Sequence, residues 1–374
     1  MQVDRRAVQN FDWLMLGLVL AISLIGVLTI YSATRPGVEG QPHPVFFIKQ
    51  LIWIMLGLIC LFIVVRLDYQ WFARLSVVFY AAGLLLLVFV LVKGRVGMGA
   101  QRWVSIGGFS FQPSELFRVA FVIMLSAYLS RMKPPISFMA FFRMLPLLAL
   151  LPLLLLVKQP DLGTASMAAG IFLLACAARK MEKKLLIGIA LFGLISVPFF
   201  WDLIWHDFLH DYQRNRIIAF MDTDIDPAGI GYHISQSKVA IGSGMVFGKG
   251  FMHGTQGPFR FLPEKHTDFV FSVFAEEWGL LGSLFLIALY MLFFYRALDT
   301  ARQAKDEFGC FLALTITFMF AIYFFFNIGM TMGMMPVVGI PMPFMSYGGT
   351  AVLANYIAAG LLINVRLRRF ELFY

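Results

Sequence analysis

Charge is what this chain has least of. Only 14% of its 374 residues are Asp, Glu, Lys or Arg, against roughly 25% in soluble domains. With 60% hydrophobic residues and a mean hydropathy of +0.80, that shortage excludes a soluble globular protein and indicates an integral membrane protein. Cysteine is also scarce. Cys60, Cys176 and Cys310 lie in or beside apolar runs at no metal-ligand spacing, which excludes a disulfide or zinc framework and leaves them as small hydrophobes. No Gly-Lys-Ser/Thr phosphate loop occurs, and His206 and His210 lack the Glu that follows the first His of a zinc-protease helix. A nucleotide loop and a zincin site are therefore excluded as well.

What is present is apolar sequence in blocks. Ten runs are long enough to cross a bilayer, near residues 12–33, 46–65, 73–92, 113–130, 139–157, 162–178, 184–200, 269–295, 308–330 and 346–365; a span needs about 20 residues. The first follows Arg5 and Arg6 but exceeds the ~7–15 residue core of a signal peptide, so it reads as a retained span. With the N-terminus inside, the short cytoplasmic segments hold seventeen of the thirty basic residues, among them Arg66, Arg131, Lys183, Lys184, Arg302 and Arg368. Short loops rich in Lys and Arg stay inside. The net charge of +9 is thus topological rather than a nucleic-acid footprint. The expected fold is an all-α polytopic membrane protein of about ten transmembrane helices, one membrane domain over residues 1–374. Both termini are expected in the cytoplasm, and a large extracytoplasmic loop, about 201–268, between the seventh and eighth spans.

Three outward segments carry unusual polar residues. The first runs from Lys93 through Arg102-Trp103 to Gln112-Pro113-Ser114-Glu115 and Arg118. Pro113 suits the first turn of a helix. Glu115 and Arg118, three apart, share a face of the fourth span; they mark either a functional pathway or a salt bridge that only fixes helix packing. Trp103 reads by position as an interfacial anchor. The second is Lys158-Gln159-Pro160-Asp161-Leu162-Gly163-Thr164, where Pro and Gly break the helix and non-helical backbone at membrane depth lines a cavity or is buried. Asp161 has two readings, an N-cap of the sixth span or a ligand for a metal or sugar hydroxyl.

The third is the long insert, which holds five of the six histidines. Its aromatic start, Trp201, Trp205, Phe208 and Tyr212, suggests an interfacial helix. Asp222, Asp224 and Asp226 resemble a calcium loop but lack the closing bidentate Glu. Glycines from Gly229 to Gly254 recur around Gln236-Ser237-Lys238 and Lys249; they serve either phosphate oxygens or turns. Asp268 stands where the insert re-enters hydrocarbon before Phe269, Val270 and Phe271. Partial desolvation there makes a carboxylate a better proton acceptor near neutral pH, so Asp268 is the candidate catalytic base; the alternative is an acid favoured by a helix N-terminus. Further on, Asn327 and the run Gly333–Thr350, with three prolines and four glycines before Thr350, suggest a broken or re-entrant element that suits a transporter as readily as an enzyme.

Asn327 to Ala351, with Pro336, Gly339, Pro341, Pro343 and Ser346-Tyr347-Gly348-Gly349, resembles the signature of the SEDS family (shape, elongation, division, sporulation), on its elongation branch. The likeness extends in order over most of the chain, through Arg102-Trp103, Gln112–Glu115, Gln159–Gly163, Gly231-Tyr232, Gln236-Ser237, Gly248–Gly250, Gly254–Gln256 and Leu262–Phe269. The resemblance implies a multi-pass protein of the bacterial cytoplasmic (inner) membrane. It implies a peptidoglycan glycosyltransferase that polymerises lipid II and releases undecaprenyl diphosphate, partnered by a class B penicillin-binding protein. The family's essential aspartate falls on Asp268, and its cavity pair on Glu115 and Arg118; the second is commonly Lys in the family, so Arg118 departs in shape while keeping the charge. The substrate-binding set is then Arg102, Trp103, Glu115, Arg118, Gln159, Asp161, Gln236, Ser237, Lys249, His266 and Ser346. Cations among them, with Lys265 or a divalent ion (Mg or Mn) as further candidates, would meet the leaving diphosphate. No organic cofactor is expected. Two other readings stand beside this one: a lipid II flippase, which has no need of a base, and a non-catalytic scaffold for the penicillin-binding protein, whose polar cavity would tolerate substitution.

Overall fold

A computed structural model of the protein describes residues 10–34, 45–97, 100–106, 109–203, 205–206, 209, 211–221, 229–257, 262 and 265–369. Helices occupy all ten positions expected to span: α1 (Trp13–Ala33), α2 (Val45–Arg66), α3 (Ser76–Lys93), α4 (Pro113–Ser130), α5 (Phe138–Lys158), α6 (Leu162–Ala178) and α7 (Lys183–Phe199), then, beyond the insert, α10 (Val270–Arg302), α11 (Glu307–Thr331) and α12 (Gly349–Leu367). Eight of them are long and apolar enough to cross a membrane among the described residues; α6 is apolar but shorter, and α7 has 17 residues. The insert adds α8 (Asp211–Met221) and α9 (Ile230–Ser243). Asp222, Asp224, Asp226, Phe208 and His210 lie outside the described residues. Trp201 and Trp205 stack with ring centroids 5.3 Å apart in the expected interfacial stretch.

Aspartates start several of these helices for the usual reason, a side chain accepting from an otherwise unpaired N–H. Asp12 accepts from Met15 N at 3.1 Å, Asp161 from Thr164 N at 3.2 Å and Asp306 from Gly309 N at 2.8 Å. Helix α12 is the axis of the bundle. It packs on α2 through Gly360, where a Cβ would come 3.1 Å from Leu61 O, and through Asn364, whose Nδ2 donates to Leu67 O at 2.7 Å. The outer helices turn apolar side chains outward, with Phe192 73% and Leu194 71% exposed on α7. Such surface suits lipid and would be an aggregation liability in water.

Two features depart from plain spans. Between α3 and α4 the chain forms a small antiparallel sheet, order β1-β2-β3 (Arg95–Gly97, Ala100–Ile106, Phe109–Phe111), with Arg95 opposite Trp103 and Val104 opposite Phe111. The all-α expectation thus gains one sheet, whose middle strand carries Arg102. Helix α10 is interrupted at Gly279, with φ 63° and ψ −161°. That region of backbone space is open essentially to glycine alone.

Candidate active site around the loop 332–348

The insert returns to the bundle through Lys265–Asp268 and continues as α10. Asp268 is half-buried, and Phe269, Val270 and Phe271 behind it are buried. Its backbone is held from two sides. Ser346 Oγ donates to Thr267 O at 2.6 Å, and Asn327 Nδ2 donates to Asp268 O at 3.0 Å and to Ile340 O at 2.7 Å. Gly339 faces the carboxylate with φ +76°; a Cβ there would lie 3.3 Å from Asp268 Oδ2 and 3.9 Å from Arg216 Nη1. The glycine is required twice, by its left-handed backbone and by the two charged groups gathered against it. Arg216 reaches this point from α8.

One residue earlier, Val338 touches a second polar group. Its carbonyl lies 2.8 Å from where a Cβ on Gly163 would stand, at the start of α6, two residues past Asp161. Asp161 caps α6 through Thr164 N and accepts from Thr164 Oγ1 at 2.9 Å, and its Oδ1 lies 3.5 Å from Arg102 Nη1. Arg102 also donates to Pro160 O. Gln159 is buried and donates from Nε2 to Leu87 O at 2.8 Å. Both readings of Asp161 therefore remain compatible with its place, since it is at once a cap and an ion-pair partner.

Deeper in the bundle, Glu115 Oε2 and Arg118 Nη2 are 2.9 Å apart and both side chains are buried. Arg118 also donates to Asn355 Oδ1 at 2.5 Å and to Ala351 O at 3.4 Å, and its guanidinium lies 4.6 Å from the centroid of the Tyr323 ring. The Asp161 carboxylate is close enough for its charge to act on Glu115 and Tyr323. Arg102, Asp161, Glu115, Arg118 and Tyr323 thus form one electrostatic group.

The remaining candidates divide. His266 packs at a tilt against Phe46 (4.6 Å) and Tyr347 (5.5 Å), and Tyr347 N donates to its carbonyl at 2.8 Å. Ser346 also accepts from Met342 N at 2.8 Å, so both residues shape the loop under Asp268. Ser237 is fully buried, donating to Thr331 O at 2.6 Å and lying 2.6 Å from Ser272 Oγ, a joint between α9, α10 and α11. Gln236 is half-buried on α9, and Trp103 is 37% exposed on β2. Lys249 Nζ is 2.7 Å from Glu276 Oε1. Among the described residues no three His, Cys, Asp or Glu side chains converge on a metal position.

Arg216, Tyr323, Asn327, Asn355, Glu276 and Glu277 are not in the set drawn from the sequence. Asn327 and the Glu pair carried a signal, being polar groups within apolar runs. Arg216 carried none, because one base in a polar insert is unremarkable until Gly339 and Asp268 are seen beside it.

Comparison with known proteins gives a consistent answer. The FtsW/RodA/SpoVE profile, described as cell cycle protein, matches residues 12–370. The peptidoglycan glycosyltransferase RodA of Treponema pallidum is 32% identical over 435 residues, covering 97% of this chain and 99% of that protein. The peptidoglycan glycosyltransferase MrdB of Escherichia coli K12 is 37% identical over 362 residues, covering 96% and 94%. A solved chain from work on the coordination of polymerization and crosslinking by a peptidoglycan synthase complex is 30% identical with a TM-score of 0.80, over 96% of this chain and 99% of that one.

Proposed function

This chain belongs to the FtsW/RodA/SpoVE family and is a peptidoglycan glycosyltransferase of the bacterial inner membrane, and we propose that Asp268 is its general base. The substrate is lipid II, a disaccharide-pentapeptide on undecaprenyl diphosphate. Asp268 accepts the proton of the acceptor sugar's 4-hydroxyl as that oxygen attacks the anomeric carbon of the donor. The new glycosidic bond forms with inversion while the bond from the anomeric carbon to the diphosphate breaks, and undecaprenyl diphosphate leaves with the electron pair. The observation that carries this reading is the half-buried carboxylate of Asp268 held at Gly339 by a backbone bonded through Asn327 and Ser346.

Arg216, gathered with Asp268 around Gly339, is the cation best placed to meet the negative charge developing on the diphosphate. Arg102 and Asp161, joined to the same loop through Gly163 and Val338, orient the second sugar-phosphate. Glu115 and Arg118 hold the floor of the polar group. A Mg or Mn ion would bind through one or two carboxylates and the substrate's own phosphate oxygens, as such ions commonly do; no step above depends on it. The basic short segments support an outward-facing insert, so polymerisation takes place at the outer surface with the lipid tails between helices. The partner is a class B penicillin-binding protein, whose transpeptidation joins the strands made here.

The test is polymerisation of labelled lipid II by the purified protein with its cognate transpeptidase in detergent, wild type beside Asp268→Ala. Loss of a positioned base costs about 10²–10⁴-fold, so wild type alone should give strands. Normal strands from the variant would remove Asp268 from the chemistry. No strands from either, with lipid II crossing liposomes that carry the wild type, would move the reading to a flippase.

A further inference from the structure

The break in α10 divides it into a long part and a short one, Val270–Trp278, and the short part carries the base at its front end. Nine residues are too few to hold a helix or an orientation alone; isolated helices shorter than ~12–15 residues are marginal. Its placement therefore comes from what touches it. At the front are Asn327 and Ser346. At the rear the holding element is the segment 244–257.

That segment replaces the hydrogen bonds lost at the break. Leu280 N donates to Met245 O at 2.8 Å and Leu281 N to Val246 O at 3.1 Å, while Lys249 N donates to Glu276 O at 3.0 Å and Gly250 N to Glu277 O at 2.9 Å. The approach is so close that a Cβ on Gly279 would stand 2.7 Å from Val246 O and 2.8 Å from Gly244 O, and one on Gly248 would stand 2.5 Å from the Glu277 carbonyl carbon. Side chains then fasten the joint. Glu276 is fully buried, and its carboxylate accepts from Lys249 Nζ at 2.7 Å, Thr255 Oγ1 at 2.8 Å, Thr255 N at 2.8 Å and Gln256 N at 3.2 Å. Lys249 Nζ also donates to Thr255 Oγ1 at 3.1 Å, and Ser32 donates to Glu277. These contacts bind the ammonium to a protein carboxylate rather than leaving it to face a diphosphate.

We propose that Lys249 and Glu276 are positioning residues for the transfer reaction: their ion pair clamps the segment 244–257 onto the break at Gly279 and so fixes the short half-helix that presents Asp268 to Gly339. The inference rests on Asp268 being the base. Loosening the rear of a nine-residue lever displaces its front, and a misplacement of about 1 Å at a reacting group can cost ~10²-fold in rate. Substrate affinity, set by groups on other elements, should be left alone.

The experiment measures kcat and KM for lipid II with the protein in complex with its transpeptidase, for Lys249→Met, Glu276→Gln, the double variant and Lys249→Arg, with Asp268→Ala alongside. The expected result is a fall in kcat of up to about 10²-fold for each single change with KM unchanged. The double variant should be no worse than either single one, the non-additivity of a coupled pair, and Lys249→Arg should restore most of kcat. A raised KM with normal kcat in Lys249→Met would make Lys249 a substrate ligand and overturn the proposal, as would additive losses in the double variant. If Lys249→Met does not assemble, Glu276→Gln and Lys249→Arg decide: normal kcat in Glu276→Gln, which breaks the ion pair, overturns the clamp. Full activity in Asp268→Ala would instead defeat the base assignment, whatever the clamp variants do.

Discussion

Arg118 is met by four groups that suit a cation: the Glu115 carboxylate, the Asn355 amide oxygen, the Ala351 carbonyl and the face of Tyr323. A charge inside a bundle requires such an environment, and removing one partner leaves the other buried and uncompensated. Arg118→Met should therefore destabilise the protein by about 3–5 kcal/mol, seen as a lower unfolding temperature in detergent, because Glu115 remains buried without its cation. Arg118→Lys keeps the charge, and because one nitrogen, Nη2, makes the contacts to Glu115, Asn355 and Ala351, a single ammonium can take them over; it should cost clearly less and retain polymerisation. Gly339→Ala tests the other end of the site. Left-handed backbone costs a residue with a Cβ roughly 1–2 kcal/mol, and the new methyl would press on Asp268 and Arg216, so lipid II polymerisation should fall much further than thermal stability does. The Glu115–Arg118 pair was legible from its spacing of three. Asn355 and Tyr323 were not, since they arrive from helices more than two hundred residues along the chain and nothing local announces them.

At the scale of elements, the bilayer makes sequence unusually informative. Apolar runs must become helices because hydrocarbon leaves no other way to satisfy the backbone, and all ten expected runs are helical. The break in α10 escaped for the same reason. Gly279 follows Glu276-Glu277-Trp278 in a span that is still long and apolar enough to cross a membrane as one helix, and the turn segment that supplies its missing bonds, 244–250, lies about thirty residues upstream. Gly279→Ala places a Cβ where Gly248 N, Val246 O and Gly244 O already stand and forces a glycine-only backbone, a strain of about 1–3 kcal/mol before the collision is counted. A fall in unfolding temperature together with loss of polymerisation is expected, and monodisperse elution on heating is the measure. The small sheet before α4 was hidden by shortness: its outer strands have three residues each, too few for alternation to show.

Over the whole molecule, the loop 332–348 is where separate parts of the site meet. It touches Gly163, Asp268 and Arg216, accepts from Asn327, donates to Thr267 and His266, and presses on Gly26 through Met345. The prolines and glycines of this loop were readable as a cavity builder; which residues it would join was not, because those contacts depend on the packing of five helices at once. Sidedness is the global property still open to direct test. In a background lacking Cys60, Cys176 and Cys310, a cysteine in place of the exposed Asn215 should react with a membrane-impermeant maleimide in intact spheroplasts. One replacing the exposed Lys184 should react only after permeabilisation; the reverse pattern would invert the topology.

Helix α12 lies at the centre of the bundle, yet it is synthesised after every other described span. Until it emerges, Arg118 lacks Asn355 and Ala351, and the end of α2 lacks Asn364. Earlier spans therefore enter the membrane carrying polar groups whose partners do not yet exist. Biogenesis of this protein is a matter of sheltering an unfinished interior, and its assembly is closed by its last described helix.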